Sequence, residues 1–487
     1  MPVPISPSIF MGLYFFPRGG SAQVARYLCR ALGGSRWEPM LFAGSVGTLA
    51  DTSNAERFFR GIRCEGLDYT PARSRWVQGA DSMTASVPIS ASYEDKGDVA
   101  DRIFLDLDDA AFDRQVDSWT RFLMDCATTA PRVVHLHHLT PMHEAVRALW
   151  PGVPVVTHLH GTELKMLASV HDTTHHGPWR WERQWVERMR TWAANSERVV
   201  VVGDHDLQMV RQVLPVDPTR ITMIANGVDT DVFSPRVRTC AERLDLWKRW
   251  FVDEPRGWSP GGSAGSIRYD LGDISAFVGD GGKPVPVVLF AGRFMRFKRL
   301  QLLIEAHHAM RSTSSCRAVL VIVGGFPAEW EDEHPYDTVR RLGAEGVFFA
   351  GWRDHDELSE ALNCSDVFAA PSIDEPFGLV YLEAMASGIP PIATATGGPL
   401  SFINVDAEHP TGWLVPPDDR AALTRALVEA VSDADERKAR GARAARLVRE
   451  HYSWVASAEA FSRVYDAVTD VSSRSKSTKS ASTSGVA

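Results

Sequence analysis

The second half of the chain alternates short, wholly apolar runs with segments of helical periodicity, and this alternation constrains the fold most strongly. Each run has the length of a strand that is buried on both faces. Parallel strands of this kind need crossover helices, which then cover both faces of the sheet. We therefore predict a doubly wound parallel sheet with strands in VPVVLFAG, RAVLVIVGG, VFFAG, DVFAAPS and PPIATA.

Helical periodicity follows these strands and also recurs in the first half of the chain. The first half opens with the apolar run Ile9 to Phe16, the tight loop Pro17-Arg18-Gly19-Gly20 and an amphipathic segment from Ser21 to Leu32. Further strands are predicted at Val133–Leu136, Val155–His158, Arg198–Val202 and Ile221–Ile224. The second half is predicted to have helices from about Lys298, around Thr338–Leu342, at Glu357–Asn363 and at Gly378–Ser387.

A length of 487 residues is enough for two to four domains, and the patterning favours two α/β domains. The stretch between them is rich in Gly, Pro and Ser, which is typical of an insertion or linker. The segment from Cys64 to Asp109 has little periodicity, and we expect a loop-rich part of the first domain. The predicted divisions are 1–235 (first domain), 236–283 (insertion), 284–450 (second domain), 451–470 (terminal segment) and 471–487 (disordered tail).

Charge is spread evenly along the chain. The net charge is −9, and a cut after Pro235 leaves 23 Lys and Arg against 27 Asp and Glu before it, and 29 against 34 after it. Neither half is basic, so nucleic-acid binding and a polybasic membrane-docking half are disfavoured.

No membrane span or targeting segment is expected. Apolar runs such as Ala318–Val323 fall far short of the roughly 18 residues that a transmembrane helix needs. The N-terminus lacks a basic region and a small-residue cleavage site, which disfavours a signal peptide. The six cysteines are widely scattered and include no C-x-x-C pair, so we expect neither disulfides nor a zinc cluster, and a cytoplasmic location.

The segment SIDEPFGLVYLEAMASG carries the strongest chemical signal. Glu375 falls in the loop after a predicted strand, and Glu383 lies more than one turn inside the following helix. The N–H groups at that helix start have no intrahelical partners and favour a phosphate. The alternative is that Glu375 is a solvated loop residue and Glu383 an exposed helical one. The N–H groups concerned belong to Phe377, Gly378, Leu379 and Val380.

The second signal is FAGRFMRFKRL, in which a buried strand ends at Gly292. Arg293 follows at the carboxyl end of that strand, and Lys298 begins the next helix. Ligands of open α/β sheets bind outside the carboxyl ends of the strands, where two cations suit a diphosphate. Taken alone, such a pair is more commonly solvated surface.

Three segments together resemble the retaining glycosyltransferases of family 4, which have the GT-B fold and belong to the glycosyl transferase group 1 superfamily. They are EPFGLVYLEAMASG, AGRFMRFKRL and IANGVDTDVFSP. Gly19-Gly20, HLHGTELKML and EHYSWVASAEAFSRVYDAV extend the match. The resemblance implies two Rossmann-like domains facing each other across a cleft. It further implies that the first domain binds the acceptor, the second binds the donor, and the terminal helix returns to the first domain.

The resemblance also implies roles for single residues. Glu375 would contact sugar hydroxyls of the donor, and Glu383 would hold the ribose hydroxyls. Arg293 and Lys298 would bind the diphosphate and stabilise its charge as it leaves, while His160 would face the transferred sugar. The remaining candidate donor-binding residues are Gly19, Gly20, Gly324, Trp352, Gly378, Leu379 and Val380.

The activity implied is a metal-independent, retaining hexosyl transfer from a nucleotide sugar, in particular a UDP-sugar, to a hydroxyl acceptor. The acceptor is left open as a small molecule, a glycan or a lipid-linked compound, and no cofactor is expected. Two alternatives remain: a catalytically silent subunit that binds a nucleotide sugar, and a GT-B nucleotide-sugar epimerase.

Histidines are clustered at His135-Leu-His137-His138, at His158-Leu-His160, and at His171 with His175 and His176. Strand alternation can place two of them on one face, but zinc needs three or four ligands with a defined outer layer. We therefore expect no metal site. For His137 and His138 an ordinary structural role is the commoner explanation, and lining the acceptor cleft with Thr140 is the alternative.

Two further patterns have ordinary explanations. The D-x-D formed by Asp106 and Asp108 holds a divalent metal in other glycosyltransferases, but here we expect a solvated acidic turn. Trp181, Trp185, Met189 and Trp192 form a stripe at helical spacing that could lie on a membrane surface. Core packing is the commoner reason for such a stripe, and Glu182 and Glu187 dilute the basic charge beside it, so membrane contact is not favoured.

Overall fold

The computed structural model describes residues 9–94, 99–127, 129–171, 179–313, 316–327, 329–373 and 375–483. The chain divides into two compact units. One contains the residues up to Gly227 together with those from Trp454 onward, and the other spans Val228–Ser453. The predicted boundary after Pro235 therefore falls inside the second unit, as does the whole of the predicted insertion.

The first unit is built on a seven-stranded sheet in which every pair of neighbours is parallel. The order of the strands is β3-β2-β1-β4-β5-β6-β7. Strands β1 and β4 are buried at every residue, as expected for central strands covered on both faces. The strands are β1 (Ile9–Leu13), β2 (Pro39–Ser45), β3 (Cys64–Asp68), β4 (Val133–His137), β5 (Val155–His158), β6 (Arg198–Val201) and β7 (Ile221–Met223).

Helices connect these strands, and the predicted stripe of tryptophans lies on one of them. Trp185, Met189 and Trp192 are buried in the core of the first unit, which confirms the core-packing interpretation. The helices are α1 (Gly20–Leu32), α2 (Ala55–Phe58), α3 (Thr70–Val77), α4 (Asp109–Cys126), α5 (Met142–Leu149), α6 (Thr162–His171), α7 (Glu182–Ala194) and α8 (Asp204–Val213).

The second unit contains a six-stranded parallel sheet in the order β10-β9-β8-β11-β12-β13. Together with the first sheet, it confirms the predicted fold class. Its strands are β8 (Val287–Ala291), β9 (Val319–Val323), β10 (Val347–Gly351), β11 (Val367–Ala370), β12 (Pro391–Thr394) and β13 (Trp413–Val415). Its helices are α9 (Cys240–Lys248), α10 (Leu271–Ile274), α11 (Leu300–Thr313), α12 (Pro335–Leu342), α13 (His355–Asn363), α14 (Leu379–Ala386), α15 (Arg420–Ser432) and α16 (Ala434–His451).

The predicted insertion, residues 236–283, is folded onto the second unit rather than serving as a linker. It contributes α9 and α10, and a capping box at Thr239 and Glu242 begins α9. Phe251 and Phe277 place their rings 5.1 and 4.9 Å from the ring of Phe348 in β10. Aromatic burial against the edge strand gives this segment a core that its Gly, Pro and Ser content conceals.

The terminal helix, α17 (Trp454–Thr483), packs on the first unit, as the resemblance implied. Trp454 stacks on Tyr27 of α1 with 5.8 Å between ring centroids, and Tyr465 is fully buried. The tail predicted to be disordered is helical through Thr483, because neither glycine nor proline interrupts the sequence from 454 to 483. Residues 484–487 lie outside the described residues.

The segment from Cys64 to Asp109 is more ordered than its sequence indicates. It supplies β3 and α3, and Tyr69 between them donates a hydrogen bond of 2.9 Å to the carbonyl of Tyr14. Residues 95–98 of this segment are outside the described part of the chain. In the ranges that the structure describes, none of the helices has both the length and the hydropathy needed to cross a bilayer.

Candidate active site

The two strongest sequence signals meet at the carboxyl edge of the second sheet. Lys298 ends a single 3-10 turn that follows β8, and its ammonium group pairs with the carboxylate of Glu375, which follows β11. Both side chains are 12% exposed, so the ion pair is mostly shielded from water. The N–H of Ile373 donates a hydrogen bond of 2.7 Å to the carbonyl of Phe297, which ties the two loops together.

Helix α14 begins directly beside this ion pair. Gly378 is its N-cap with φ of 90°, and a Cβ there would lie 2.7 Å from the ring of Tyr381 and 3.2 Å from Cγ of Glu375. Glycine is therefore required on both conformational and steric grounds. Leu379 and Val380 form the first turn, where backbone N–H groups and the helix dipole favour an anion.

Glu383 is buried inside α14 rather than exposed. Its residue exposure is 6%, and Oε1 lies 3.4 Å from Nε2 of His355. Burial raises the pKa of Glu383, and His355 partly opposes that shift. A carboxylate held this way is poised to accept hydrogen bonds from a ligand's hydroxyl groups.

Close backbone packing shapes the rest of this edge. Arg293 is half-buried just after β8. The N–H of the preceding Gly292 donates a hydrogen bond of 3.0 Å to the carbonyl of Val323 at the end of β9. A Cβ at Gly324 would lie 2.3 Å from the carbonyl oxygen of Gly292. The glycine at position 324 thus has a packing requirement that is independent of any ligand.

Trp352 follows β10 at the same edge and is 41% exposed. Its ring stacks on that of Phe326 with 4.5 Å between centroids and 27° between planes. This pair is an aromatic surface able to support a planar group.

The first unit places Gly19 and Gly20 at the start of α1. Gly19 has φ of 83°, and apart from its own neighbours along the chain no described atom would lie within 4 Å of a Cβ at either glycine. The neighbouring Arg18 forms an ion pair with the nearly buried Asp101. The loop therefore offers an open backbone beside a fixed charged side chain.

His160 lies just beyond β5 in a buried hydrogen-bonded network. Its Nε2 is 2.9 Å from Nδ1 of His137, and its backbone N–H donates a hydrogen bond of 3.0 Å to Oε1 of Glu163. Oε2 of Glu163 is 3.1 Å from Nδ1 of His138. Glu163 thereby fixes both the His160 backbone and the His138 ring.

Burial determines the protonation states of this network. Desolvation, followed by the neighbouring histidines, holds the pKa of His160 well below its ordinary value, so the ring is neutral at physiological pH. Burial alone would raise the pKa of Glu163. The attraction and hydrogen bond of His138 and the N–H of His160 outweigh it, and the pKa is lowered.

A cavity of about 240 Å³ opens in the first unit next to this network. Thr162, which follows Gly161, lines it and also donates a hydrogen bond of 3.2 Å to Glu163. The other lining residues are Tyr93, Glu94, Ile103, Lys165, Met166, Ser169 and Trp179. The mixture of hydroxyl, charged and aromatic groups is suited to a small polar ligand.

Two family models match this chain. The model described as Glycosyl transferases group 1 matches residues 279–447, and the model described as Glycosyltransferase Family 4 matches residues 96–232. Both halves of the chain are thus similar to glycosyltransferase family models. The matched ranges include all four candidate catalytic residues, Lys298, Glu375, Arg293 and His160.

Among curated relatives, the D-inositol 3-phosphate glycosyltransferase of Corynebacterium glutamicum (strain R) is 30% identical over 56% of this chain and 57% of that protein. The alpha-maltose-1-phosphate synthase of Mycolicibacterium smegmatis is 29% identical over 69% of this chain and 79% of the relative. The chain spans about half the length of the first curated relatives it matches, at 57% and 48%.

Solved structures of similar fold confirm the GT-B class. Sucrose-phosphate synthase from Thermosynechococcus elongatus has a TM-score of 0.65 at 19% identity, over 95% of this chain and 99% of the other. Anabaena HepE in complex with UDP and glucose has a TM-score of 0.62 at 15% identity, over 94% and 99% of the two chains.

Sequence reasoning missed two residues that the structure places at these sites. His355, the partner of Glu383, begins α13 just after β10, and its position beyond a strand end is the signal that could have found it. Glu163, which holds His160, lies three residues after it in HGTE, a spacing typical of an acidic side chain that caps a helix start.

The other sequence patterns have structural roles. Asp108 is the N-cap of α4, and its carboxylate accepts a hydrogen bond of 2.8 Å from the N–H of Ala111. Asp106 forms an ion pair with Arg102. The D-x-D therefore lies at a helix start, where we predicted a solvated acidic turn. His175 and His176 lie outside the described residues.

Proposed function

We propose that this chain is a retaining glycosyltransferase that moves a hexosyl group from a UDP-sugar to a hydroxyl of a small polar acceptor. The observation that carries the proposal is the Lys298–Glu375 pair beside the start of α14, at the carboxyl edge of the second sheet. A cation, a carboxylate and the N–H groups of a helix start within one edge match a diphosphate joined to a polyhydroxylated ring.

The departing nucleoside diphosphate gains negative charge as its bond to the sugar breaks. We assign stabilisation of that charge to Lys298, Arg293 and the first N–H groups of α14, including those of Leu379 and Val380. Preorganised groups of this kind need no reorganisation during the reaction, which is why they lower the barrier. We propose that these groups do so without a divalent metal at the donor site.

The carboxylates hold the two ends of the donor in this proposal. Glu375 accepts hydrogen bonds from sugar hydroxyls while Lys298 balances its charge, and Glu383 accepts from the ribose hydroxyls. The stacked pair of Trp352 and Phe326 supports the nucleobase. Gly19 and Gly20 of the first unit leave room for close backbone approach to the ligand.

We assign to His160 the recognition of a sugar hydroxyl by a neutral imidazole, whose position Glu163 fixes. The acceptor hydroxyl attacks the anomeric carbon on the face that the diphosphate leaves, and its proton passes to a donor phosphate oxygen. One C–O bond forms, one breaks, and the anomeric configuration is retained.

The names of the relatives support a phosphorylated small-molecule acceptor. Several relatives are named for inositol 3-phosphate or maltose 1-phosphate, and a similar fold was solved with UDP and glucose. We assign the acceptor to the cavity of the first unit, where Lys165 provides a cation and Thr162 and Ser169 provide hydroxyl groups.

The test is incubation of the full chain with a panel of sugar nucleotides and of phosphorylated and unphosphorylated polyols. Nucleoside diphosphate is measured by chromatography, the product by mass spectrometry, and its anomeric configuration by NMR. We expect release that depends on one acceptor class, with the donor configuration kept. Tight donor binding without release would instead support the silent subunit, and conversion of the sugar nucleotide without an acceptor would support an epimerase.

A further inference from the structure

We propose that His135, His137 and His158 form a buried site for a transition-metal ion of the zinc type in the first unit. One of its members, His137, contacts His160, but the site stands whether or not the chain transfers a sugar. No metal site was predicted from the sequence, because the sequence does not show that the strand with His135 and His137 pairs with the strand that ends at His158.

The pairing of two strands assembles the cluster. His135 and His137 alternate along β4, so their side chains leave the same face of the sheet. His158 ends β5 and is directly opposite His137 in the parallel register, which places it on that face too. One ring nitrogen from each residue lies within 4.8 Å of those of the other two.

All three side chains are fully buried, yet several of their nitrogens have no hydrogen-bond partner among the described residues. These are Nε2 of His135, Nε2 of His137 and both ring nitrogens of His158. A buried polar atom normally has a hydrogen-bond partner. Several unpartnered nitrogens in one place therefore indicate a ligand that binds them together. His143, a buried histidine of the same unit, has its Nδ1 near the carbonyl of Thr140 and its Nε2 3.0 Å from Thr157.

The nitrogens that do have partners fit the pattern of metal-bound histidines. Nδ1 of His135 is 2.6 Å from the hydroxyl of Tyr465, and Nδ1 of His137 is 2.9 Å from Nε2 of His160. A histidine ligand usually binds the metal through one nitrogen and uses the other to contact an outer group that orients the ring. Both residues leave Nε2 available in this way.

Imidazole nitrogens suit zinc, copper and nickel, and three histidines leave a fourth position for water or another ligand. Zinc–nitrogen bonds of about 2.0–2.1 Å require the three rings to turn slightly inward from their present spacing. The buried carboxylate of Glu163, which holds the N–H of His160, lies in the adjoining network and offsets part of the ion's charge.

A metal here would join β4 and β5 to the terminal helix. Tyr465 of α17 contacts His135, and the ring of Phe461 lies 5.0 Å from those of both His135 and His158. The ion would therefore stabilise the docking of α17 on the first unit. It would also orient His137, and through it the ring of His160.

The experiment measures metal in the full chain after chelator treatment and reloading with Zn²⁺. We expect about one tightly held zinc per chain, a higher Tm with zinc, and an X-ray absorption spectrum with imidazole nitrogen ligands. His135→Phe and His158→Asn should weaken zinc binding about 10- to 100-fold or more, whereas His143→Asn should keep it.

Absorption spectra of the wild-type protein keep the proposal testable if the variants do not fold. It is overturned if reloaded wild-type protein holds no zinc and neither Co²⁺ nor Cu⁺ binds or raises Tm. It is also overturned if His135→Phe and His158→Asn retain wild-type affinity, since zinc would then be on surface groups. A cluster bridged by water alone would give the first of these results.

Discussion

The carboxyl edges of the two sheets carry different chemistry. In the second unit the edge holds Lys298 and Glu375 as a partly shielded ion pair, next to a helix start. In the first unit the corresponding edge holds His137, His158 and His160, all of them with pKa values held well below the ordinary value by burial.

The difference shows how burial selects the charge state of a site. An ion pair presents a cation and a carboxylate side by side, which suits a ligand that carries both phosphate and hydroxyl groups. Clustered imidazoles in a dry environment lose their charge, which suits hydroxyl groups or a metal ion. We therefore associate the charged edge with the diphosphate donor and the neutral edge with the acceptor and the sugar.

Removing the carboxylate from the charged edge is expected to be highly damaging. Glu375→Ala should lower kcat by about 10²–10³-fold, because the sugar loses its anchor and Lys298 its partner. Turnover is measured by nucleoside diphosphate release, and circular dichroism checks the fold. Asp253→Ala is the matched control, since it removes an exposed carboxylate that pairs with Lys248 in the same unit. Equal rates for the two variants would remove Glu375 from the site.

Removing a histidine from the neutral edge of the first sheet is expected to lower kcat less than removing Glu375. His160→Ala should lower kcat by about 10- to 100-fold, because one uncharged hydrogen bond to the sugar is lost. His409→Ala removes an exposed histidine and should leave the rate unchanged. If His160→Ala were as active as wild type, the histidine would have a structural role only.

Glu383 tests binding rather than turnover. Glu383→Gln should raise the donor KM by about tenfold with little change in kcat, because a charged acceptor for ribose hydroxyls becomes a neutral one. Burial raises the pKa of Glu383, so its ionised form destabilises the folded chain as pH rises through that pKa. The variant should therefore be at least as stable as wild type at pH 7. A lower Tm with unchanged KM would contradict both expectations.

The smallest effect is on stability and concerns His143 in the first unit. Burial lowers the pKa of His143 to about 3, so the unfolded chain takes up a proton near pH 6.5 that the folded chain refuses. The histidine's contribution to stability is present above that pH and is lost as pH falls toward 3. In urea unfolding between pH 6.5 and 4.5, His143→Gln should reduce the slope by up to about 1.4 kcal/mol per pH unit. The exposed His409→Gln should not change it.

Much of the fold was predictable because buried parallel strands have wholly apolar sequences. The predicted strand Val155–His158 matches β5, and the helix predicted at Glu357–Asn363 is α13, His355–Asn363. The folded structure of the predicted insertion was missed because its core depends on aromatic contacts with β10, which no local pattern records.

The residues of the candidate site also fall into two groups: those that a local motif identifies and those that only tertiary contacts bring together. Arg293, Lys298 and Glu375 could be found because each follows a strand end within a short motif. Two other groupings depend on contacts between separate elements, which sequence patterns do not record. They are His355 with Glu383, and His158 with His135 and His137. Periodicity and motif spacing contain no information on such contacts.

The central claim is that the charged edge stabilises a departing diphosphate, and Lys298→Ala tests it most directly. Donor Kd is measured by titration, and kcat by nucleoside diphosphate release with saturating donor and acceptor. Lys248→Ala, which removes a partly exposed lysine from the same unit, is the control. We predict that Lys298→Ala lowers kcat by at least about 10²-fold while donor Kd changes much less, because the charge develops during the reaction. An unchanged kcat would contradict the account.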